Sequence, residues 1–298
     1  MRHVITETRA LPAPRPPRTV PVLPGLRAVR LGLFYLLLTV IALVFLAPYV
    51  LALFGSLKPL RDIFSEPAWI PPSSFDVSAY AHALFQDGFL RYLANTALVT
   101  VVLTAGQVTF SVCGAYAFAR LRFPGRDTLF WIYLLTLMVP NVVTLIPLYT
   151  IMRNFGLLNT YWAIFLPYVL GTPYSIFLIR QFFMTIPQEL VDSARIDGCS
   201  ELRILRQILV PLARPVIVTA TVIAFVFGWN NFLWPLIVTN SDQLKVLTVG
   251  IDSFQSNFGV QWNLVLAGSM IALIPLLVVF ALFQRHIVRS IQLTGGIR

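Results

Sequence analysis

An all-α protein that crosses a membrane six times is the fold class this sequence predicts, on three observations. Of 298 residues, 57% are hydrophobic and 11% charged, against roughly 25% charge in soluble domains. The apolar residues gather into six runs that each meet the length of about 20 residues a bilayer asks of a helix. One long polar island, Thr185 to Pro215, stands between two of those runs.

Taken in order, residues 1–30 carry Arg2, Arg9, Arg15, Arg18, Arg27 and Arg30 with six prolines and Glu7 as the one acid. Such a stretch cannot bury a core, and the prolines spoil an amphipathic targeting helix, so a disordered cytosolic tail is expected. The apolar runs are Leu31–Leu53, Leu93–Ala119, Leu129–Met152, Tyr161–Ile179, Val216–Val238 and Leu264–Phe283, none of which contains a charged residue. The first is too long for a signal-peptide core and lacks a small-residue cleavage site. Together they make residues 31–283 the predicted transmembrane domain, followed by a cytosolic tail, 284–298. Pro140, Pro147, Pro167, Pro173, Pro235 and Pro275 lie inside the runs and can bend them.

The net charge of +10 could suggest nucleic acid, and its placement decides otherwise. With an even number of spans and the N-terminus inside, the inner segments hold seventeen basic residues and the outer loops five, while acids divide equally. That is the positive-inside distribution. The basic excess is therefore topological, both termini are expected in the cytosol of a prokaryotic cell, and no nucleic-acid partner is expected.

The outer loop Phe54–Tyr92, with Trp69, Pro71 and Pro72, reads as a lid over helix ends. In the fifth run Gly228-Trp229-Asn230-Asn231-Phe232 places two amides in hydrocarbon, where each must find a partner or line a wet cavity. Asn230 and Asn231 are candidates for a translocation path and equally for interhelical hydrogen bonds. Asn141 and Gln107 are read in the same way. Tyr149, Tyr168 and Tyr174 could stack on a sugar or belong to an interfacial aromatic belt.

The polar island, expected to form a cytosolic loop over residues 181–214, reads as two short helices. Thr185 can cap the first, with Pro187 in its first turn and Gln188 three residues on. Glu189 and Asp192 fall early, where the helix dipole favours negative charge. Gly198 stops the helix in the left-handed conformation. Ser200 can cap the second, in which Leu202, Leu205, Ile208 and Leu209 make an apolar stripe.

Several chemistries are excluded. Neither Lys58 nor Lys245 follows a glycine as a phosphate-binding loop requires, so the chain is expected neither to hydrolyse ATP nor to act as an enzyme. His3, His82, His286, Cys113 and Cys199 are scattered, with no metal-ligand spacing and no disulfide framework. The runs lack the acids a proton-coupled carrier needs. A sodium-coupled secondary carrier stays open on these grounds.

The island resembles the cytoplasmic coupling loop of binding-protein-dependent ABC importer permeases, whose signature runs E-A-A, three residues to Gly, then I-x-L-P. Here the triplet is Asp192-Ser193-Ala194, followed by Asp197-Gly198 and Ile208-Leu209-Val210-Pro211. Asp192 is shorter than the usual Glu, Ser193 replaces an Ala, and Cys199 stands where Ala is common. The flanking Pro187-Gln188-Glu189-Leu190, the Trp229-Asn230-Asn231-Phe232 element and the tail from Gln284-Arg285 to Gly295-Gly296 also look like the carbohydrate branch, the maltose type. The resemblance implies a type I importer permease fold, with Glu189, Asp192, Ser193, Ala194, Asp197, Gly198 and Pro211 coupling to an ATPase. It implies a second permease, two ATP-binding subunits that carry ATP and magnesium, and an extracytoplasmic solute-binding protein. By position in the family, the outer loop Thr239–Asn263 would meet that binding protein through Gln255, Asn257 and Phe258. Other small solutes remain open, and this chain itself is expected to hold no cofactor.

Overall fold

The computed structural model describes residues 24–85, 88–256 and 259–295, so the expectations for residues 1–23 and for Asn257 and Phe258 lie outside the described residues. The chain divides into two compact units, Met1–Val50 and Leu51–Arg298. In the first, α1 (Pro24–Ser56) is the described element, and its side chains from Leu31 to Val50 are exposed, as suits an apolar helix whose solvent is hydrocarbon. Its last turn belongs to the second unit.

That second unit begins with α2 (Leu60–Ser65) and α3 (Ser78–Phe85). The Asp76 carboxylate accepts from Ser78 N–H at 2.8 Å to start α3, and Ala79 and Ala83 turn inward onto Phe89, Tyr92 and Leu264. Lys58 is buried and paired with Glu66 at 3.1 Å. The outer loop is thus a folded cover on the helix ends.

Next comes α4 (Phe89–Arg120), buried along one face from Phe89 to Tyr116. The third apolar run is not one straight span. It forms α5 (Arg126–Leu135), a 3-10 turn (Thr136–Met138) and α6 (Asn141–Asn154), bent by 104°. Pro140 is the cause: it biases Val139 to an extended conformation and has no N–H to continue the ladder. The fourth is α7 (Tyr161–Val169) and α8 (Pro173–Thr185), interrupted where Gly171 adopts φ +97°.

The island forms α9 (Gln188–Ile196), α10 (Glu201–Ile204), a π turn (Leu205–Leu209) and α11 (Val210–Leu212). This stretch meets α12 (Arg214–Trp229) at 85°, because Pro215 cannot return an N–H to the Pro211 carbonyl. The fifth run also stops early: α12 ends at Trp229, and Asn230–Phe232 separates it from α13 (Leu233–Val238). α14 (Leu247–Ser253) and a two-residue antiparallel ribbon, Gln255–Ser256 with Gly259–Val260, structure the second outer loop. α15 (Trp262–Gly295) then runs unbroken through the expected tail as far as Gly295. Among the described residues four helices are long and apolar enough to span, and six spans result when each bent pair counts once.

α4 is the axis of the second unit, with α7, α8 and α12 against it. Its approach to α7 depends on Gly106. A methyl group there would overlap Val169 Cγ2 and stand 3.0 Å from the Val169 carbonyl oxygen, so the helices would have to separate. Gly106→Ala is expected to cost about 1–3 kcal/mol, as overpacking does, and to lower the melting temperature in detergent; an unchanged melting temperature would show that this contact does not set the packing.

Candidate functional site

The polar island rests on its apolar face. In α9, Val191 and Ala194 are 0% and 6% exposed, while Glu189, Asp192 and Ser193 remain exposed on the outer face. Spacing of three puts Val191 and Ala194 on one side of the helix, where they join Tyr116, Phe183, Ile204, Leu205, Leu209 and Val216 in one cluster. Burying such a side chain as Val191 stabilises by roughly 1.5–3 kcal/mol.

The ends of α9 are built differently from expectation at one point and as expected at the other. Thr185 does not cap it: that residue closes α8, and its hydroxyl donates to the Phe182 carbonyl at 2.8 Å. Pro187 takes the cap position without a side-chain bond, because Ile186 and Pro187 intervene in extended backbone. At the C-terminus Gly198 sits at φ +78°. Its N–H donates to the Arg195 carbonyl at 3.0 Å and the Cys199 N–H to that of Ala194 at 2.9 Å, the paired bonds of a Schellman motif. Asp197 is the residue before the turn and is exposed.

In the second half, Ser200 stands at the cap of α10 without a side-chain bond. Leu202 is 70% exposed, and Ile204 takes its expected place inside with Leu205 and Leu209. The π turn explains the exchange, since five residues per hydrogen-bonded step rotate the following side chains relative to α-helical spacing. Pro211 is exposed at the elbow before α12.

Two clamps fasten the loop to the C-terminal end of α4. Arg120 donates to the Gln188 side-chain oxygen, to the Phe183 carbonyl, and to the Ile186 carbonyl at 2.5 Å, which satisfies carbonyls left open at the end of α8. Four residues earlier on α4, the Tyr116 hydroxyl donates to Glu201. Arg195 grips the same carboxylate side-on, Nε to Oε1 at 2.9 Å and Nη2 to Oε2 at 3.2 Å, a pairing stronger than a single bond. The hydrogen bond to Glu201 raises the Arg195 pKa above its ordinary value. Gln188 Nε2 donates to Asp192 at 2.9 Å, and Arg195 approaches Asp192 at 3.4 Å. These bonds tie α9 and α10 to α4 and to the end of α8.

Arg120, Tyr116 and Glu201 do not appear among the residues expected from sequence. Arg120 reads there as one more inner-side charge, and Glu201 as one more acid of the polar island. A signal did exist: Tyr116 and Arg120 share a helix face by their spacing of four, at the end of an apolar run next to the polar Arg120–Arg126 segment.

The four expected path residues do not converge. Asn141 opens α6 at the elbow and is exposed. Tyr149 packs into the cluster of Trp234, Ile164 and Val99. Asn230 donates within its own helix, to the Val226 carbonyl at 2.9 Å, and the Asn231 carbonyl accepts from Thr248 at 2.8 Å. The Asn230 amide thus bonds within the end of α12, while the Asn231 bond is made by its backbone carbonyl and reaches α14. Gln255 lies in the outer ribbon.

A model of the family described as "Binding-protein-dependent transport system inner membrane component" matches residues 107–293. The sn-glycerol-3-phosphate transport system permease protein UgpE of Yersinia pestis bv. Antiqua is 34% identical over 265 residues, 86% of this chain and 94% of that protein. The arabinooligosaccharides transport system permease protein AraQ of Halalkalibacterium halodurans is 30% identical over 261 residues, 87% and 93% of the two chains. A chain of a bacterial ABC transporter involved in the import of the acidic polysaccharide alginate superposes with a TM-score of 0.78 at 24% identity, over 90% of this chain and all of that one. The likeness to that structure bears out the importer-permease fold implied by the loop motif.

Proposed function

Since the chain belongs to the family of binding-protein-dependent transport system inner membrane components, we propose that it is one of two permease halves of an ATP-driven importer for a sugar or oligosaccharide. Relatives named for arabino-oligosaccharides support the carbohydrate class, as does the Trp229-to-Phe232 element. A second homologous permease, two ATP-binding subunits carrying ATP and magnesium, and membrane lipid complete the assembly. The binding protein would dock at the outer loop around Gln255, Asn257 and Phe258. The basic excess supports both termini in the cytosol, with residues 1–30 and 284–298 as tails, and no group in this chain is proposed to bind ATP.

The observation that carries this reading is the two-sided construction of α9. Its outer face, with Glu189, Asp192 and Ser193, is exposed to meet an ATPase, while Val191 and Ala194 pack the inner face on the spans and Arg195 links it through Glu201 to Tyr116. Closure of the ATPases moves the spans provided they grip the loop differently in their two states, because equal affinity would shift nothing. The test is ATP hydrolysis by the reconstituted complex with and without binding protein. Stimulation is expected in the wild type, a near-wild-type response in Asp192→Glu, and its loss in Asp192→Arg. Stimulation retained by Asp192→Arg would remove this face from the contact.

A further inference from the structure

A cleft of about 550 Å³ opens where the Thr136–Asn141 elbow, the break between α7 and α8, and α12 meet the middle of α4. Its volume falls within the range of about 300–1,000 Å³ of small-molecule sites. Gln107 lies thirteen residues before the cytosolic end of α4, roughly 20 Å along the helix at 1.5 Å per residue, so the cleft sits at membrane depth. Gln107 is 3% exposed, and its side-chain oxygen has no hydrogen-bond partner. Three other buried oxygens on the same face of α4, those of Thr100, Thr104 and Ser111, are also unpaired, and of these four residues Gln107 alone lines the cleft. A buried acceptor without a donor is a cost that a fold retains where something else supplies the donor.

The remaining walls narrow the chemistry of that supplier. Asn141 and Tyr174 stand in the first turns of α6 and α8; the Val143 N–H already donates to the Pro140 carbonyl and the Ser175 N–H to the Thr172 hydroxyl, which leaves the N–H groups of Asn141, Val142 and Tyr174 without an intrahelical acceptor. Tyr168 and Tyr174 offer ring faces and hydroxyls, and Ile223 and Phe227 an apolar floor. Helix N-termini by themselves attract anions. Against an anion, the described lining residues include no Lys or Arg, and the orphaned atom is an acceptor that an ionised phosphate or carboxylate cannot serve. A pyranose or furanose ring carries O–H donors for Gln107, oxygens for the open N–H groups, and an apolar face for the tyrosines.

Resting on the importer reading, we propose that this cleft is a transport subsite in this chain for an uncharged sugar ring, with the Gln107 side-chain oxygen accepting from a sugar hydroxyl and Tyr168 and Tyr174 packing on the ring. The subsite selects against anionic solutes. Uptake of radiolabelled arabinotriose, maltotriose and sn-glycerol 3-phosphate would be measured in proteoliposomes holding the complete importer and its binding protein, for wild type, Gln107→Leu and Tyr174→Leu. Wild type is expected to take up a neutral sugar, and each variant to lose uptake roughly tenfold or more. Leucine at 107 removes the unpaired oxygen at similar volume, so Gln107→Leu should co-purify with its partners and melt no lower than wild type; if it does melt lower, Tyr174→Leu carries the test. Uptake of sn-glycerol 3-phosphate alone, of none of the three solutes, or of the sugar at the wild-type rate by the variants overturns the subsite. Failure of the binding protein to stimulate wild-type ATP hydrolysis would instead overturn the importer reading beneath it.

Discussion

Gly198→Val is expected to cut binding-protein-stimulated ATP hydrolysis and solute uptake severely while the complex still assembles in the membrane. The residue occupies φ +78°, and a Cβ there would meet nothing within 4 Å. The substitution therefore adds no clash, and its effect is conformational. A β-branched residue pays about 1–3 kcal/mol to hold the left-handed region, or leaves it and breaks the Gly198-to-Arg195 and Cys199-to-Ala194 bonds that close α9. The first course destabilises the closed end of α9, and the second turns Arg195 away from Glu201. At 1.36 kcal/mol per factor of ten, the loss in coupled rate should reach roughly tenfold or more. Gly198→Asn, which tolerates that conformation, should retain most of the activity. Full uptake by the valine variant would remove the loop closure from the coupling path.

The second large effect is expected at Arg120. Replacement by alanine leaves the Ile186 carbonyl and the Gln188 side-chain oxygen without their Arg120 donor and the Phe183 carbonyl with the Ile186 N–H alone. Hydrogen bonds to charged groups contribute about 1.5–3 kcal/mol each, and because the site is only half-buried, water will recover part of that; a net cost of about 2 kcal/mol is expected. Coupling should fall further than stability, because α9 then keeps its apolar packing but, of the two polar clamps to α4, retains the one through Glu201 and Tyr116. Arg120→Lys places the charge without the planar fork and cannot serve three acceptors at once, so it should restore assembly and only part of the coupling. Thermal unfolding and the ATP hydrolysed per solute imported separate the two contributions. Equal loss in both would make Arg120 a purely structural clamp.

Much of this molecule is legible in its residues. Apolar run length gives the spans, since the bilayer imposes one dimension on every helix. The short α9 with its glycine stop is readable because the Asp197-Gly198 signal is local, confined to the few bonds around one left-handed residue. A bend at Pro140 is among those the sequence suggests and the one at Pro215 is not, and the angles of 104° and 85° depend on what each half packs against. The cap at Thr185 and the exposure of Leu202 were misread, because Ile186 and Pro187 moved one boundary and a π turn moved the other.

Composition, run length and the spacing around Gly198 by themselves determined an all-α membrane chain with one long polar loop, because these quantities act over a few residues along the chain. Tertiary structure alone decided which side chains hold that loop and which face the cleft. Arg120 reaches Ile186 across 66 positions and Tyr116 reaches Glu201 across 85, and Gln107 meets Asn141, Tyr174 and Phe227 only after four helices have closed around it. Contacts between residues so far apart follow from how helices pack, and that packing is set by the whole set of buried faces at once.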